Sequence, residues 1–536
     1  MREHPGAALP SPPLWLVLSI LAVAALGFAP TLNGGFLGDD FVYVSRFYAF
    51  PWSDWPRLFT REWSEGIWGF QLSELRPFTA LSFMLDGRLY GGEAFGYRVT
   101  NLGLHLLVVL AITSLAWRYS RGNRFCALVA GLVFAFHPAH LEPVAWITGR
   151  VDVLSTACGL WFWAFAEAWS ERGKLWQLAV ALLVLAVGVF AKEVCLFAPP
   201  LLLSMWVLVD ARAGRSVWLR RACVVLGVIA LALVYNACRR AAFGDNATAP
   251  GSTWHNLAAW QRQASYLGWL APVLPFRGQA EFSTPWNPTA LRLIGSGIAF
   301  AIVAGLLASA WRNGQRFGRA LFFTGGWWLV TVGGLLLVGY FSPRHLYFPT
   351  AGLAIGAGLV LASVRSALLR TGAAVLAIGW LAVGHGFALR PWIENGKISR
   401  ALIATAETDA AKAPPGSVAL VTVPAVRGLA WLWSWGCPHA LGRPFLTTPF
   451  AHNLVLSDPG CYYRPESWPT DFKPIPAIAA APGAIALAVA DDGRILHRVL
   501  AVWELTLEAK RLEGPMSDGV LAHHEWSEWV RSVVPK

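Results

Sequence analysis

Residues 118–174 read RYSRGNRFCALVAGLVFAFHPAHLEPVAWITGRVDVLSTACGLWFWAFAEAWSERGK. A basic loop opens the stretch, and an apolar run follows at 125–137. A turn then carries His137, His140 and Glu142. Arg150 and Asp152 open the next apolar run, and a second basic loop, ERGK, ends it. Long apolar segments belong in a bilayer, and short Lys/Arg-rich loops stay on the cytoplasmic side. The stretch therefore predicts two spans whose connecting turn faces outward. That turn is costly to place at membrane depth, because it gathers so many ionisable groups.

Outward from there the pattern repeats. Apolar runs lie near 13–30, 97–117, 125–137, 151–170, 175–191, 194–209, 217–237, 291–310, 320–340, 346–364 and 371–389. The short basic connections are 118–124, 171–174, 210–221, 312–319 and 365–370, which alternate with the rest. The expected fold is an all-α polytopic membrane protein with about eleven transmembrane helices and an N-terminus inside. The first run reads as a retained signal anchor, since no small-x-small cleavage site follows it. Residues 1–390 form the expected membrane domain, with outer loops at 31–96 and 238–290. Residues 391–536 form an expected small extracytoplasmic α/β domain. Its strands are read from GSVALVTVPAV and AIALAVADDGRILHRVLAVWEL, with ADDG as a hairpin turn.

Composition agrees. Of 536 residues 56% are hydrophobic and only 14% charged, against about 25% in soluble chains; mean hydropathy is +0.48. The net charge of +12 resides largely in loops beside the spans, so it does not indicate nucleic acid. Five of the seven cysteines lie in or beside apolar runs. Cys437 and Cys461 lie in the tail, where an oxidising compartment would let them pair.

The outer face carries the chemistry. Asp39 and Asp40 follow the first span, and adjacent carboxylates raise one another's pKa. They read either as a general base with a possible divalent cation, Mg or Mn, or as an acidic cap on the helix beginning FVYV. Arg150 suits a phosphate, or an ion pair with Asp152 or Glu142. His137 and His140 are three apart, a weak metal signal. Lys192-Glu193 interrupts an apolar run at a hairpin apex, and Arg344-His345 are the basic residues of an apolar outer turn. Arg76 precedes an amphipathic segment of the first loop, which suits the membrane interface. Acids, cations and aromatics at the bilayer surface suit a lipid-tailed, phosphorylated substrate. The rival readings are a transporter or flippase of lipid-linked sugars, and a non-catalytic scaffold.

Several stretches carry a resemblance. HPAHLEPVAWITGRVDVLS resembles the signature of the transmembrane cadherin O-mannosyltransferases and their bacterial relatives. RPFTALSFMLDGRLYGGEAFGYRVTNLGLHLL, AKEVCLFAPPLLL and RHLYFPTAGLAIG are similar to further segments of that family, in matching order over roughly residues 14–390. The resemblance implies the class C glycosyltransferase fold in a bacterial cytoplasmic membrane. It implies an inverting transfer of a hexose such as mannose from a polyprenyl-phosphate donor to a protein or glycan acceptor. Asp39 or Asp40 would be the base, with Arg150, Lys192, Arg344 and His345 at the donor phosphate. Arg76, His137, His140, Glu142, Asp152 and Glu193 would support them. Two departures are visible. His345 stands where the family has Tyr, and residues 391–536 show no tetratricopeptide period.

Overall fold

Most of the described apolar runs become helices near the expected positions. The computed structural model describes residues 11–65, 73–211, 213–244, 315–334, 342–424, 426–428, 430–433, 436–447, 452–455, 482–490 and 492–501. Helix α1 spans Leu14–Phe28, α2 Asp40–Ala49, α3 Pro77–Tyr90, α4 Ala94–Tyr119, α5 Arg124–Ala135 and α6 Leu141–Ala145. Then come α7 Arg150–Arg172, α8 Leu175–Val189, α9 Ala198–Leu208 and α10 Arg215–Phe243. Helices α11 Gln315–Leu321 and α12 Trp327–Gly334 flank a π turn, and α13 Tyr347–Ser363 and α14 Ala367–Ala410 follow.

Eleven spans are not recovered. Among the described residues five helical segments are long and apolar enough to cross a bilayer. A sixth arises if 124–135 and 138–145, bent by 55°, form one broken span. The expected run at 291–310 lies outside the described residues. Helices α5, α8 and α9 hold 12, 15 and 11 residues. At about 1.5 Å per residue each falls short of a roughly 30 Å hydrocarbon core.

Two sets of connections separate to opposite ends of the bundle. At one end Arg118 pairs with Glu167 at 3.2 Å and with Glu171, and Arg220 Nε donates to Ser170 O at 2.7 Å. Arg319 pairs with Asp210 at 3.0 Å at the same end. These contacts unite four of the connections read as cytoplasmic. The turn at 137–149, Lys192 and 342–346 meet at the other end.

The expected boundary at 390/391 falls inside one helix. Helix α14 runs for 44 residues and continues through Pro391. Its first part exposes Leu368, Leu376, Trp380 and Phe387, as a lipid-facing surface would. Beyond Pro391 it buries Asn395, Gly396, Ser399 and Leu402 against the first loop and the tail. That packing offsets the single backbone hydrogen bond a proline removes. The tail has a four-stranded sheet of order β4-β1-β5-β6. Its strands are β1 Val418–Thr422, β4 His452–Val455, β5 Gly483–Val489 and β6 Ile495–Ala501. β1 lies parallel to β4 and β5, and β6 closes antiparallel on β5. The near-continuous apolar β1 and β5 are buried, as central parallel strands are. ADDG makes the β5–β6 turn, with Gly493 at φ +89° and Ala490 N–H donating to Arg494 O at 2.9 Å. A ribbon of β2 Val426–Arg427 and β3 Ala430–Trp431 leads back to the first loop. Cys461 lies outside the described residues, so its pairing with Cys437 stays a proposal.

Candidate active site

Asp39 and Asp40 are neighbours with different surroundings. Asp40 is fully buried at the start of α2. Its Oδ2 accepts the Leu37 amide at 2.9 Å, and its Oδ1 accepts the Thr148 amide and hydroxyl at 2.8 and 2.9 Å. Burial raises its pKa to about 6, against the opposing effects of Arg98 and those hydrogen bonds. Asp40 thereby ties the first loop to the turn opened by HPAHLEP. Among the described residues nothing donates to the Asp39 carboxylate. Burial raises Asp39 to about 8, the nearby Arg344 opposes this, and Asp40 and Glu74 add to it.

Arg344 is held beside that loop. Its guanidinium lies 4.7 Å from the Trp146 ring centroid, and Trp146 Nε1 donates to Leu37 O at 3.1 Å. Glu142 fixes the backbone of the same turn. It accepts Ser342 Oγ at 2.8 Å on both oxygens and the Arg344 amide at 3.2 Å. Lys192 Nζ meets Asp152 Oδ1 at 2.5 Å. Burial lowers its pKa first, Asp152 raises it, and the charges of Arg344 and Arg76 lower it again. Arg76 pairs with Glu74 at 2.7 Å, and Glu193 lies 3.9 Å away. Trp63 donates to Glu74 at 2.7 Å, stacks on Tyr43 at 3.9 Å and lies under the Arg76 guanidinium. His345 sits within electrostatic reach of Lys192, Arg344 and Arg76. Thus Asp39, Arg76, Glu142, Asp152, Lys192, Glu193, Arg344 and His345 gather at one end of the bundle.

Three expected residues do something else. Arg150 is wholly buried and paired with Asp86 at 2.6 Å. Its Nε donates to Asn101 at 2.7 Å and its terminal nitrogens to Tyr97 O and to Ser82. A guanidinium so occupied and so buried is a strut between α3, α4 and α7. His140 is equally enclosed, its ring nitrogens at 2.7 Å from Phe134 O and Thr350 Oγ1. His137 Nδ1 accepts the Ala139 amide at 3.3 Å and caps its own turn.

Both Asp40 oxygens are engaged by donors, and among the described residues no group of three or more His, Cys, Asp or Glu is placed to hold a metal ion. Residues overlooked in the sequence include Arg98, which donates to Gly35 O at 2.5 Å and to Ala145 O, and Asn101, Asp86, Thr148 and Ser342. The signal for Arg98 was present: a cation four residues into a long apolar helix requires a partner.

No family model matches the chain. It is 30% identical over 285 residues to the protein O-mannosyl-transferase Tmtc2 of Drosophila melanogaster, covering 48% of this chain and 29% of that protein. It is 32% identical over 185 residues to the mouse protein O-mannosyl-transferase TMTC4, covering 30% and 24%. The chain resembles the protein O-mannosyl-transferases. It spans less than a third of the length of these relatives. Among solved structures, ArnT from Cupriavidus metallidurans bound to undecaprenyl phosphate aligns at a TM-score of 0.49 with 15% identity, covering 82% of this chain and 85% of that one.

Proposed function

We propose that the chain is an integral membrane glycosyltransferase of the class C type. It transfers a hexose such as mannose from a polyprenyl-phosphate donor to a hydroxyl of a protein or glycan acceptor, with inversion. The Lys/Arg bias of the connections supports an Asp39 end outside the membrane, and the reading takes that membrane to be the cytoplasmic membrane of a bacterium. The observation that carries the reading is the contrast at 39–40. One carboxylate is committed to structure, while its neighbour has no hydrogen bond from any described residue, is raised in pKa and lies near a cation.

In this mechanism Asp39 takes the proton of the acceptor hydroxyl as its oxygen attacks the anomeric carbon. The bond from that carbon to the phosphate oxygen breaks on the opposite face. The departing phosphate gains charge, which Arg344 and Lys192 stabilise. Glu142 and Asp152 hold those two cations in place. The similarity to the O-mannosyl-transferases, over about half the chain, supports the reaction class and supports mannose as the first sugar to test.

The test is incubation of purified protein with labelled polyprenyl-phosphate hexoses, following lipid-linked label. The wild-type chain consumes at least one donor, and Asp39→Asn does not. Equal consumption by both, or none of any hexose by the wild type, overturns the reading.

A further inference from the structure

The loop that presents Asp39 is not held by the membrane bundle alone. Three consecutive anchor points run from it to α14 and the tail. Gly35 N–H donates to Gly396 O at 2.7 Å. Ser399 Oγ donates to Phe36 O at 2.6 Å and accepts from Trp433 Nε1 at 2.8 Å. Gly38 N–H donates to Leu432 O at 2.7 Å. Asn395 then fixes the ribbon that supplies Leu432. Its side-chain amide donates to Arg427 O at 3.0 Å, Ala430 O at 2.8 Å and Trp431 O at 3.1 Å.

The approach is as close as backbones allow. A Cβ on Gly35 would lie 2.7 Å from Arg400 N, and one on Gly396 2.8 Å from Gly34 Cα. Gly38 adopts φ +52°, which favours glycine. The three anchors occupy residues 35, 36 and 38, and the next residue is Asp39. A carboxylate with no hydrogen bond from any described residue takes its position from the backbone that carries it.

We infer that Asn395 and Ser399 are positioning residues for the Asp39 loop, so that the tail ribbon is part of the catalytic apparatus. The consequence for catalysis rests on the glycosyltransferase reading above; the clamp itself does not. Both side chains are fully buried. They act through Leu432 and Phe36 on the place of Asp39, and misplacement of a reacting group by about 1 Å costs on the order of 10²-fold in rate.

The experiment uses the full chain with Ser399→Ala, Asn395→Ala and, as a control on the same helix, Thr408→Ala. Thr408 is exposed, and its hydroxyl donates to Ala404 O within its own helix. Hydrogen exchange of residues 34–40 is read first and is independent of activity. Ser399→Ala and Asn395→Ala each speed it on the order of 5-fold, the loss of about one hydrogen bond, while Thr408→Ala leaves it unchanged. Kinetics are read second. kcat falls on the order of 10-fold with donor KM unchanged, at a melting temperature that shows the fold intact. If exchange in 34–40 stays at the wild-type rate in Ser399→Ala, the clamp is wrong, whatever Asn395→Ala does to folding. If exchange rises and kcat does not fall, the loop is held but its position is not what the reaction needs, and the inference fails. If exchange rises while the wild type transfers no sugar, the glycosyltransferase reading is what fails.

Discussion

Asp40 accepts both the amide and the hydroxyl of Thr148, 108 residues further on, at 2.8 and 2.9 Å. The Asp39 carboxylate beside it accepts no hydrogen bond from any described residue. The two carboxylates therefore answer differently to the same substitution. Asp39→Asn lowers turnover at least about 10²-fold, the contribution of a general base, with an unchanged melting temperature. Asp40→Asn replaces one acceptor oxygen with a donor facing an N–H group. It destabilises by about 1–3 kcal/mol. Parallel turnover and thermal-melt measurements check this. A turnover loss in Asp40→Asn at full stability, with none in Asp39→Asn, would reverse the assignment.

The pH profile follows from Asp39. Its pKa is raised to about 8, and a general base works only when deprotonated. kcat/KM for the free enzyme therefore rises with pH and levels above about 8. Below that value most of the enzyme carries a protonated, inactive carboxyl. Arg344 opposes the raised pKa, whereas Asp40 and Glu74 reinforce it. Removing the cation by Arg344→Ala moves the midpoint to higher pH, and Glu74→Gln moves it lower. A profile that falls between pH 6 and 8, or an Arg344→Ala midpoint below the wild type, contradicts the base assignment.

The helical frame was legible because apolar runs and basic loops obey the bilayer's rules segment by segment. The ADDG turn was legible because turn chemistry is local. The convergence of Asp39, Lys192 and Arg344 was legible only as shared sidedness. What one sequence does not display is which cation already has a partner. Asp152 and Arg150 are two residues apart and looked like one another's partners. A separation of two on a helix turns side chains to different faces, so Arg150 reaches Asp86 on α3 and Asp152 reaches Lys192. The 390/391 boundary was misplaced for a similar reason. Pro391 marks a local break, and the packing that carries α14 through it lies on other segments.

Arg150 and Arg344 consequently separate in kinetics. Arg150→Ala leaves Asp86 buried and unpaired, which destabilises by about 3–5 kcal/mol and shows as a lost yield of folded protein. Arg344→Ala leaves the fold intact and raises donor KM while lowering kcat, since it would meet the phosphate before and during its departure, whereas Lys192→Ala also leaves Asp152 buried without its cation and adds a loss of stability. Equal melting temperatures for Arg150→Ala and wild type, together with weakened donor binding, would restore Arg150 to the phosphate site.

Sidedness is the remaining measurable consequence. The connections at 118–124, 171–174, 210–221 and 312–319 are basic, and contacts such as Arg118–Glu167 and Arg319–Asp210 bring the described parts of them together at one end. The turn at 342–346 and the ribbon at 426–433 lie at the Asp39 end. One orientation must then hold for each whole set, because a helical bundle cannot turn a single loop over without reversing its neighbours. Single cysteines placed at 121 and 216 should react with a membrane-impermeant maleimide only after the cells are opened. A cysteine at 390, on the exposed flank of α14, should react in intact cells. Labelling of 121 and 216 from outside, with 390 protected, would put Asp39 on the cytoplasmic side. A donor presented outside the membrane would then never reach it.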